Sequence, residues 1–269
     1  MMINPRARWV IFGSLFAVIL ITYLLKLRLD IPASPYTQRT FDFIENLPES
    51  SIVIVSFDHE ASSLPEIQPI SQIILRHFFR RNLRIVGLSL FAEGTAIGYQ
   101  NLTNMAEEFQ KQYGTDYLFL GFKPQHIAAI LGMAESIEQV FPEDYLGSPV
   151  TEIPLMKFAR NYDDIAAVVS LADGDRTVQW IEYTGKRFGM KIIGGLTAAM
   201  ITTYDPYLSS GQLYSSVGGI IGAAEYEGLY GRPGKGNRAL IAQTAAHFFI
   251  IILILLGNVF YFRQRKGQR

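Results

Sequence analysis

Two long apolar runs lie near the ends of the chain, and strand-like and helix-like patterns alternate between them. The first run, Trp9–Leu25, and the second, Ala239–Phe262, contain no charged residue. At about 1.5 Å per residue, such runs match a hydrocarbon core of about 30 Å. We therefore predict transmembrane helices over residues 9–27 and 239–262. A cleaved signal peptide is the alternative for the first run, but no small-residue cleavage site follows it.

Between these runs, short apolar segments rich in β-branched residues predict strands that are buried on both faces. Helix-like segments with apolar residues at three- and four-residue spacing separate several of them. The strands are predicted at residues 51–56, 83–91, 117–120 and 166–171, with a fifth beginning at 191–193. The helices are predicted at residues 66–80, 101–113 and 176–188.

This alternation predicts a Rossmann-like, three-layer α/β domain with a mostly parallel sheet over residues 51–229. Residues 28–50 are predicted to form a stalk leading into the domain, and residues 230–238 a flexible linker out of it. Residues 132–160 interrupt the alternation with three prolines and are predicted to form an excursion, as a lid or a contact surface. Residues 1–8 and 263–269 are predicted tails.

A small-residue segment, residues 206–224, has no charged residue and allows three interpretations. It could form a buried helix of the domain beginning at Asp205 and Pro206, a helix in contact with a second copy, or a membrane-associated segment. Small residues four apart let two backbones approach closely. The candidate oligomer contacts are Gly218, Gly219, Gly222 and Ala223.

Composition excludes several classes of function. The chain has no cysteine, which removes disulfides and thiolate metal sites. Its 24 basic and 24 acidic residues leave no basic surplus for nucleic acid. No dinucleotide fingerprint, phosphate loop or nucleophile elbow is present. We therefore predict no nucleic-acid partner, no cofactor and no metal site.

Charged residues at the two ends predict the orientation of the chain in the bilayer. Arg6 and Arg8 precede the first apolar run, and four basic residues follow the second. Cytoplasmic flanks of transmembrane helices carry an excess of lysine and arginine. Both termini are therefore predicted to be cytoplasmic, and the α/β domain to lie outside the cytoplasm.

Ligands of open α/β sheets bind beyond the carboxyl ends of the strands. The polar residues that follow each predicted strand are therefore the candidate ligand-binding residues. Turn formation and helix capping are the structural alternatives for such residues. The candidates are Asp58, His59, Glu93, Lys123, Asp173, Asp175 and Thr197.

These features predict a non-catalytic scaffold or ligand-sensing subunit of a membrane complex, in a homo-oligomer or with other membrane proteins. A metal-assisted hydrolase or transferase is the first alternative, and it requires Asp58, His59 and Asp173 to converge on one pocket. An accessory subunit of a transport or export machine is the second alternative. The sequence identifies no catalytic residue.

Overall fold

The computed structural model describes residues 5–25 and 27–266. Six strands form one parallel sheet: β1 (Ile52–Asp58), β2 (Arg84–Ser89), β3 (Tyr117–Phe122), β4 (Ile165–Ala172), β5 (Ile192–Leu196) and β6 (Ser215–Gly218). The spatial order is β3-β2-β1-β4-β5-β6, with β1 and β4 side by side at the centre. This order is that of the doubly wound dinucleotide-binding folds. The predicted Rossmann-like three-layer fold is confirmed.

Eleven α-helices are present in the described residues. They are α1 (Pro5–Leu24), α2 (Pro35–Glu45), α3 (Leu64–Arg80), α4 (Gly94–Glu108), α5 (His126–Gly132), α6 (Ile137–Val140), α7 (Arg176–Trp180), α8 (Lys186–Phe188), α9 (Ala198–Ser209), α10 (Gly219–Tyr230) and α11 (Lys235–Lys266). A π-helical turn, Ile181–Gly185, joins α7 to α8.

The two faces of the sheet carry separate hydrophobic cores because successive side chains of a strand point to opposite faces. On β1, Val53, Val55 and Phe57 face the core formed with α3, α4 and α10. Ile52 and Ile54 face the opposite core, formed with α5, α7 and α9. Both faces of each central strand are thus covered, which explains the continuous apolar runs in the sequence.

Residues 132–160, the predicted excursion, cover one face of the sheet. Ile137, Val150 and Leu155 are buried in the core beside β2 and β3. The segment connects β3 to β4, as expected for a link between the two halves of the sheet. Its apolar side chains make it part of the core, which differs from the predicted lid.

The helix predicted at residues 101–113 begins seven residues earlier, at Gly94, and ends at Glu108. A side chain at Gly94 would place its Cβ inside the contact distance of the backbone oxygen of Phe57. Only glycine therefore allows α4 to begin this close to β1. Gln110 has φ of 53°, so the helical path cannot continue through it.

The predicted single helix beginning at Asp205 and Pro206 is absent. Pro206 lies inside α9, and a turn then leads into β6, which the sequence pattern did not reveal. Ser215 and Ser216 are buried in this strand. Because both are polar, the sequence lacks the apolar run that predicts a buried strand. The second half of the segment forms α10, which packs on α3.

The predicted stalk is largely part of the domain. Ile44 of α2 is fully buried, and the Thr40 hydroxyl donates to Ser215 Oγ at 2.8 Å. Ser34 caps α2 by accepting the Thr37 N–H, with Pro35 at the first helical position. The sequence did not show this, because α2 is only 11 residues long, and so short an amphipathic segment does not by itself show which surface it packs on.

A buried imidazole fastens α2 to α3 and α10. His77 Nε2 lies 2.6 Å from the Glu45 carboxylate, and Nδ1 lies 2.7 Å from the Tyr226 hydroxyl. Burial lowers the pKa of His77 to about 4. A carboxylate only accepts, so Nε2–H donates to Glu45 while the Tyr226 hydroxyl donates to Nδ1. At neutral pH the three groups thus form one satisfied, largely buried network.

The two terminal helices, α1 and α11, pack against each other. Segments Arg6–Leu24, 19 residues long, and Lys235–Arg263, 29 residues long, are long and apolar enough to cross a membrane. Residues 1–4 and 267–269 of the predicted tails, and residue 26, lie outside the described part of the chain. Helix α11 extends beyond its predicted span at both ends, from Lys235 to Lys266. Helix α1 begins before its predicted span, at Pro5, and ends within it, at Leu24.

The predicted flexible linker, residues 230–238, is helical from Lys235 onward and tightly bound. The Glu227 carboxylate accepts the N–H groups of Gly234, Gly236 and Asn237 at 2.8, 2.9 and 2.8 Å. The Asn237 amide in turn pairs with both backbone groups of Leu29, just after α1. The two ends of the domain are therefore joined to each other and to α11. We name this set of contacts the Glu227–Asn237 junction.

Candidate functional site

A crevice opens where the chain reverses its winding at the centre of the sheet. After β1 the chain continues into α3 on one face, and after β4 it continues into α7 on the other. Such a switch point is where open α/β sheets hold ligands. Here the crevice is a cavity of about 480 Å³ at the carboxyl ends of β1, β4 and β5. Its volume suits a small molecule.

Asp58, the last residue of β1, lines the cavity and is 2% exposed. Its carboxylate accepts the Leu90 N–H at 2.6 Å and the Ser56 hydroxyl at 2.5 Å. Burial nevertheless raises the pKa of Asp58 to about 6, opposed by these hydrogen bonds, the Trp180 indole and the positive charge of Arg176. A buried carboxyl with a raised pKa in a crevice is typical of a functional site.

The indole of Trp180 lies near Asp58 and lowers the pKa of that carboxyl. Within the described residues, however, the buried indole Nε1 has no partner at hydrogen-bonding geometry. The Nε of Arg176, which also lines the cavity, is likewise buried without a partner among those residues. Two buried donors, one on Trp180 and one on Arg176, are therefore without a partner among the described residues.

Asp173 and Asp175 line the cavity from the loop after β4. Asp173 accepts the Glu60 N–H at 2.8 Å, so it holds the loop after β1 in place. Asp175 is exposed and forms an ion pair with Arg176 at 2.8 Å. Both aspartates thus combine a structural contact with a position at the mouth of the cavity.

The third side of the cavity is the beginning of α9. Thr197 is buried, lines the cavity and precedes this helix without capping it. The first N–H of α9, at Ala198, instead donates to the Glu66 carboxylate at 2.7 Å. Glu66 belongs to the first turn of α3, so it ties the two sides of the crevice together. No sequence signal singles out Glu66, since an acidic residue in a first helical turn is ordinary capping chemistry.

Three of the predicted ligand-binding residues lie outside this cavity. His59 is buried, with Nδ1 3.2 Å from the backbone oxygen of Glu60, and burial lowers its pKa. Glu93 is exposed at the start of α4. Lys123 lies over the Phe141 ring in a separate cleft. The site thus collects Asp58, Asp173, Asp175 and Thr197 and leaves out the other three.

Acidic groups dominate the cavity. Its lining includes five carboxylates, contributed by Asp58, Glu60, Glu66, Asp173 and Asp175. Arg176 is the one basic residue of the described lining. Within residues 5–25 and 27–266, no group of three histidine or acidic side chains is arranged to hold a metal ion. The acidic residues surround the opening and do not converge on one point.

The small-residue segment has a structural role within one chain. A Cβ at Gly218 would overlap the side chain of Ile201, and Gly219 has φ of +58°. Gly222 packs on the backbone of Val217, and Ala223 is fully buried against Gly236 of α11. Close packing inside the chain therefore accounts for these residues, and their contact with a second copy stays a prediction.

Comparisons with protein-family models, with curated proteins and with solved structures find no match to this chain. The geometry of the cavity and the way the domain is attached to its helices therefore provide the basis for inferring a function.

We expect Asp58→Asn to stabilise the chain in a pH-dependent manner. In the folded state the pKa is raised from 3.8 to about 6, so the native chain loses stability as pH rises between these values. This shift in the pKa of Asp58 corresponds to a loss of about 3 kcal/mol in the free energy of unfolding. The variant should therefore unfold at a higher temperature than the native chain at pH 8, and the difference should vanish near pH 4.

Unfolding can be followed through Trp180, because Trp9→Phe leaves it as the single tryptophan of the chain. Glu152→Gln, at an exposed carboxylate far from the cavity in sequence, is the matched control and should show no pH-dependent gain. If Asp58→Asn raised the unfolding temperature equally at pH 4 and pH 8, or lowered it at both, Asp58 would not be a buried acid with a raised pKa.

Proposed function

We propose that this chain is a membrane-anchored, non-catalytic ligand-sensing domain. The observation that carries the proposal is the buried Asp58 carboxyl at the base of a cavity of about 480 Å³ at the switch point of the sheet. A carboxyl with a raised pKa costs stability at neutral pH, and such a cost is typical of residues kept for function. A ligand that supplies a positive charge or hydrogen-bond donors to Asp58 would restore the stability lost at neutral pH.

The lining of the cavity favours a small ligand that is neutral or cationic and rich in hydrogen-bond donors. Five carboxylates against one arginine would repel an anion. Ser62 and Ser63 add hydroxyl groups, and Phe91 adds one aromatic wall. Amines, amino acids and polyhydroxylated compounds are the classes that fit this chemistry.

The attachment of the domain supports sensing rather than simple tethering. The Glu227–Asn237 junction bonds α10 to the first turn of α11, and the segment after α1 is bonded to the same turn. Ser34, at the start of α2, donates its N–H and hydroxyl to Glu225 of α10. A shift of α10 relative to the sheet would therefore be carried to both terminal helices, instead of being absorbed by a flexible linker.

The enzyme alternative receives less support. It requires Asp58, His59 and Asp173 to converge, whereas His59 lies outside the cavity and Asp173 is bonded to the loop after β1. No observation favours the transport-machine alternative. Assembly with a second copy or another membrane protein remains part of the proposal, since both terminal helices expose apolar surface along most of their length.

Ligand binding should raise the unfolding temperature of the native chain. In lipid nanodiscs, Trp180 fluorescence in the Trp9→Phe background would be measured with diamines, amino acids, sugar alcohols and dicarboxylic acids. A ligand at 100 times its Kd adds about 2.7 kcal/mol. We expect at least one cationic or neutral class of ligand to raise the unfolding temperature. This rise should be lost in Asp58→Asn and retained in Glu152→Gln.

Shifts produced by dicarboxylic acids alone, or shifts that persist in Asp58→Asn, would contradict the proposed site. If no cationic or neutral ligand raises the unfolding temperature, the result contradicts the sensing function itself.

We further propose that both termini are cytoplasmic and that the domain lies outside, because basic residues flank the outer ends of the two apolar runs. In sealed vesicles with the cytoplasmic side inward, an added protease should degrade the domain. A tag placed after Arg269 should survive until detergent is added. Protection of the domain with cleavage of the tag would reverse the orientation.

A further inference from the structure

A second cavity, of about 430 Å³, lies between the domain and the start of the second terminal helix. Its walls come from α2, α9, α10 and α11, and they are mainly apolar, with Ile201, Leu208, Ile220 and Ile221 among them. The glycines of the small-residue segment form part of the wall, which leaves the space open. Neither the sheet core nor the crevice at Asp58 uses this space.

The charged groups of this second cavity carry one sign of charge. Glu66, Asp205 and Glu225 line it, and no lysine, arginine or histidine of the described residues does. Glu66 and Glu225 each accept hydrogen bonds from the protein, at Ala198 and Ser34. A carboxylate can accept several more hydrogen bonds. Asp205 is exposed, and its carboxylate has no hydrogen bond or ion pair with any described residue.

A groove between α1 and α11 adjoins this cavity. The groove has a volume of about 440 Å³ and an almost entirely apolar lining, which includes Leu15, Ile19 and Ile250. Ala242 and Ala246 keep it open, because their side chains are small. Gln243 of α11 lines both the groove and the cavity, so the two spaces meet at this residue.

We infer that the groove and the cavity together bind an amphiphile with a long apolar chain and an ammonium head group. The apolar chain lies along the groove between α1 and α11, and the head group enters the cavity and meets Asp205, Glu66 and Glu225. Charge complementarity selects the head group, because the three carboxylates that line the cavity, with no lysine, arginine or histidine among its described lining residues, attract a cation and repel an acid. The apolar walls select the chain. This amphiphile site is a different cavity from the crevice at Asp58 and does not rest on the proposed function.

Photo-crosslinking of the full chain in nanodiscs of zwitterionic lipid tests the inference. The probe is a long-chain alkylamine with a diazirine on its chain, and the control probe is the fatty acid of the same chain length. We expect the amine to label groove residues such as Leu15, Ile19 and Ala246, located by peptide mass spectrometry. Unlabelled amine should compete with this labelling, and the acid should give only background.

Asp205→Lys should reduce labelling by the amine about tenfold, which corresponds to about 1.4 kcal/mol. Glu152→Lys makes the same change of charge at another exposed carboxylate and should leave the labelling unchanged. Gln243→Phe, at the point where the two spaces meet, should also reduce it. Unfolding followed through Trp180 confirms that each variant is folded.

Equal labelling by the amine and the acid would overturn the inference. So would labelling of Asp205→Lys at the level of Glu152→Lys, or labels confined to lipid-facing residues away from the groove, such as Phe260. None of these outcomes bears on ligand binding at Asp58, because Asp205 and Gln243 do not line that cavity.

Discussion

The Glu227 carboxylate holds the start of α11 against the domain, and the arrangement of the rest of the molecule depends on this contact. Glu227 is 3% exposed and accepts three N–H groups at the start of α11. Those N–H groups would otherwise be unsatisfied, since the beginning of a helix has no internal acceptors for them. A carboxylate there is also favoured by the helix dipole. Asn237, held in the same turn, bonds to Leu29 after α1.

This junction explains why both cavities occur where they do. It sets α10 beside α11, where Ala223 and Gly236 approach too closely for a larger side chain. The cavity of Asp205 and Glu225 is the space left between that helix pair and α9. The crevice of Asp58 lies next to it, with Glu66 lining both. A ligand in the cavity of Asp205 and Glu225 would therefore contact α10, which is bonded directly to the start of α11.

The sequence predicted those features that depend on local pattern or on a general rule of sheet topology. Buried strands such as Ile165–Ala172 carry uninterrupted apolar runs, and α3 has a clear apolar stripe. The rule that ligands bind beyond the strand ends selected Asp58, Asp173, Asp175 and Thr197, which the structure brings together at one cavity. It also selected Glu93 and Lys123, because it does not give the spatial order of the strands. In the actual order β3 lies at the edge of the sheet, so Lys123 is away from the crevice. The loop after β2 does reach the crevice through Phe91, but Glu93 lies beyond it at the start of α4.

Other features could not be predicted because they depend on contacts between distant parts of the chain. The glycine- and proline-rich residues 230–238 have the composition of a hinge, but hydrogen bonds to the nearby Glu227 carboxylate and to the Leu29 backbone, 208 positions from Asn237, hold them in place. Glu66 joins the cavity through a bond to Ala198, which is 132 positions later in the chain. Strand β6 has two buried serines where an apolar pattern was expected, and one of them bonds to Thr40 of α2.

Hydrogen exchange at the N–H groups of Gly234, Gly236 and Asn237 tests the rigid junction most directly. Backbone N–H groups at the start of a helix ordinarily exchange within the fast, locally opening class. A rigid junction predicts that these three exchange as slowly as the central strands of the sheet in the native chain, and that Glu227→Ala makes all three fast. Rapid exchange in the native chain would mean that a flexible hinge joins the domain to α11, which would contradict a rigid connection between the domain and its terminal helices.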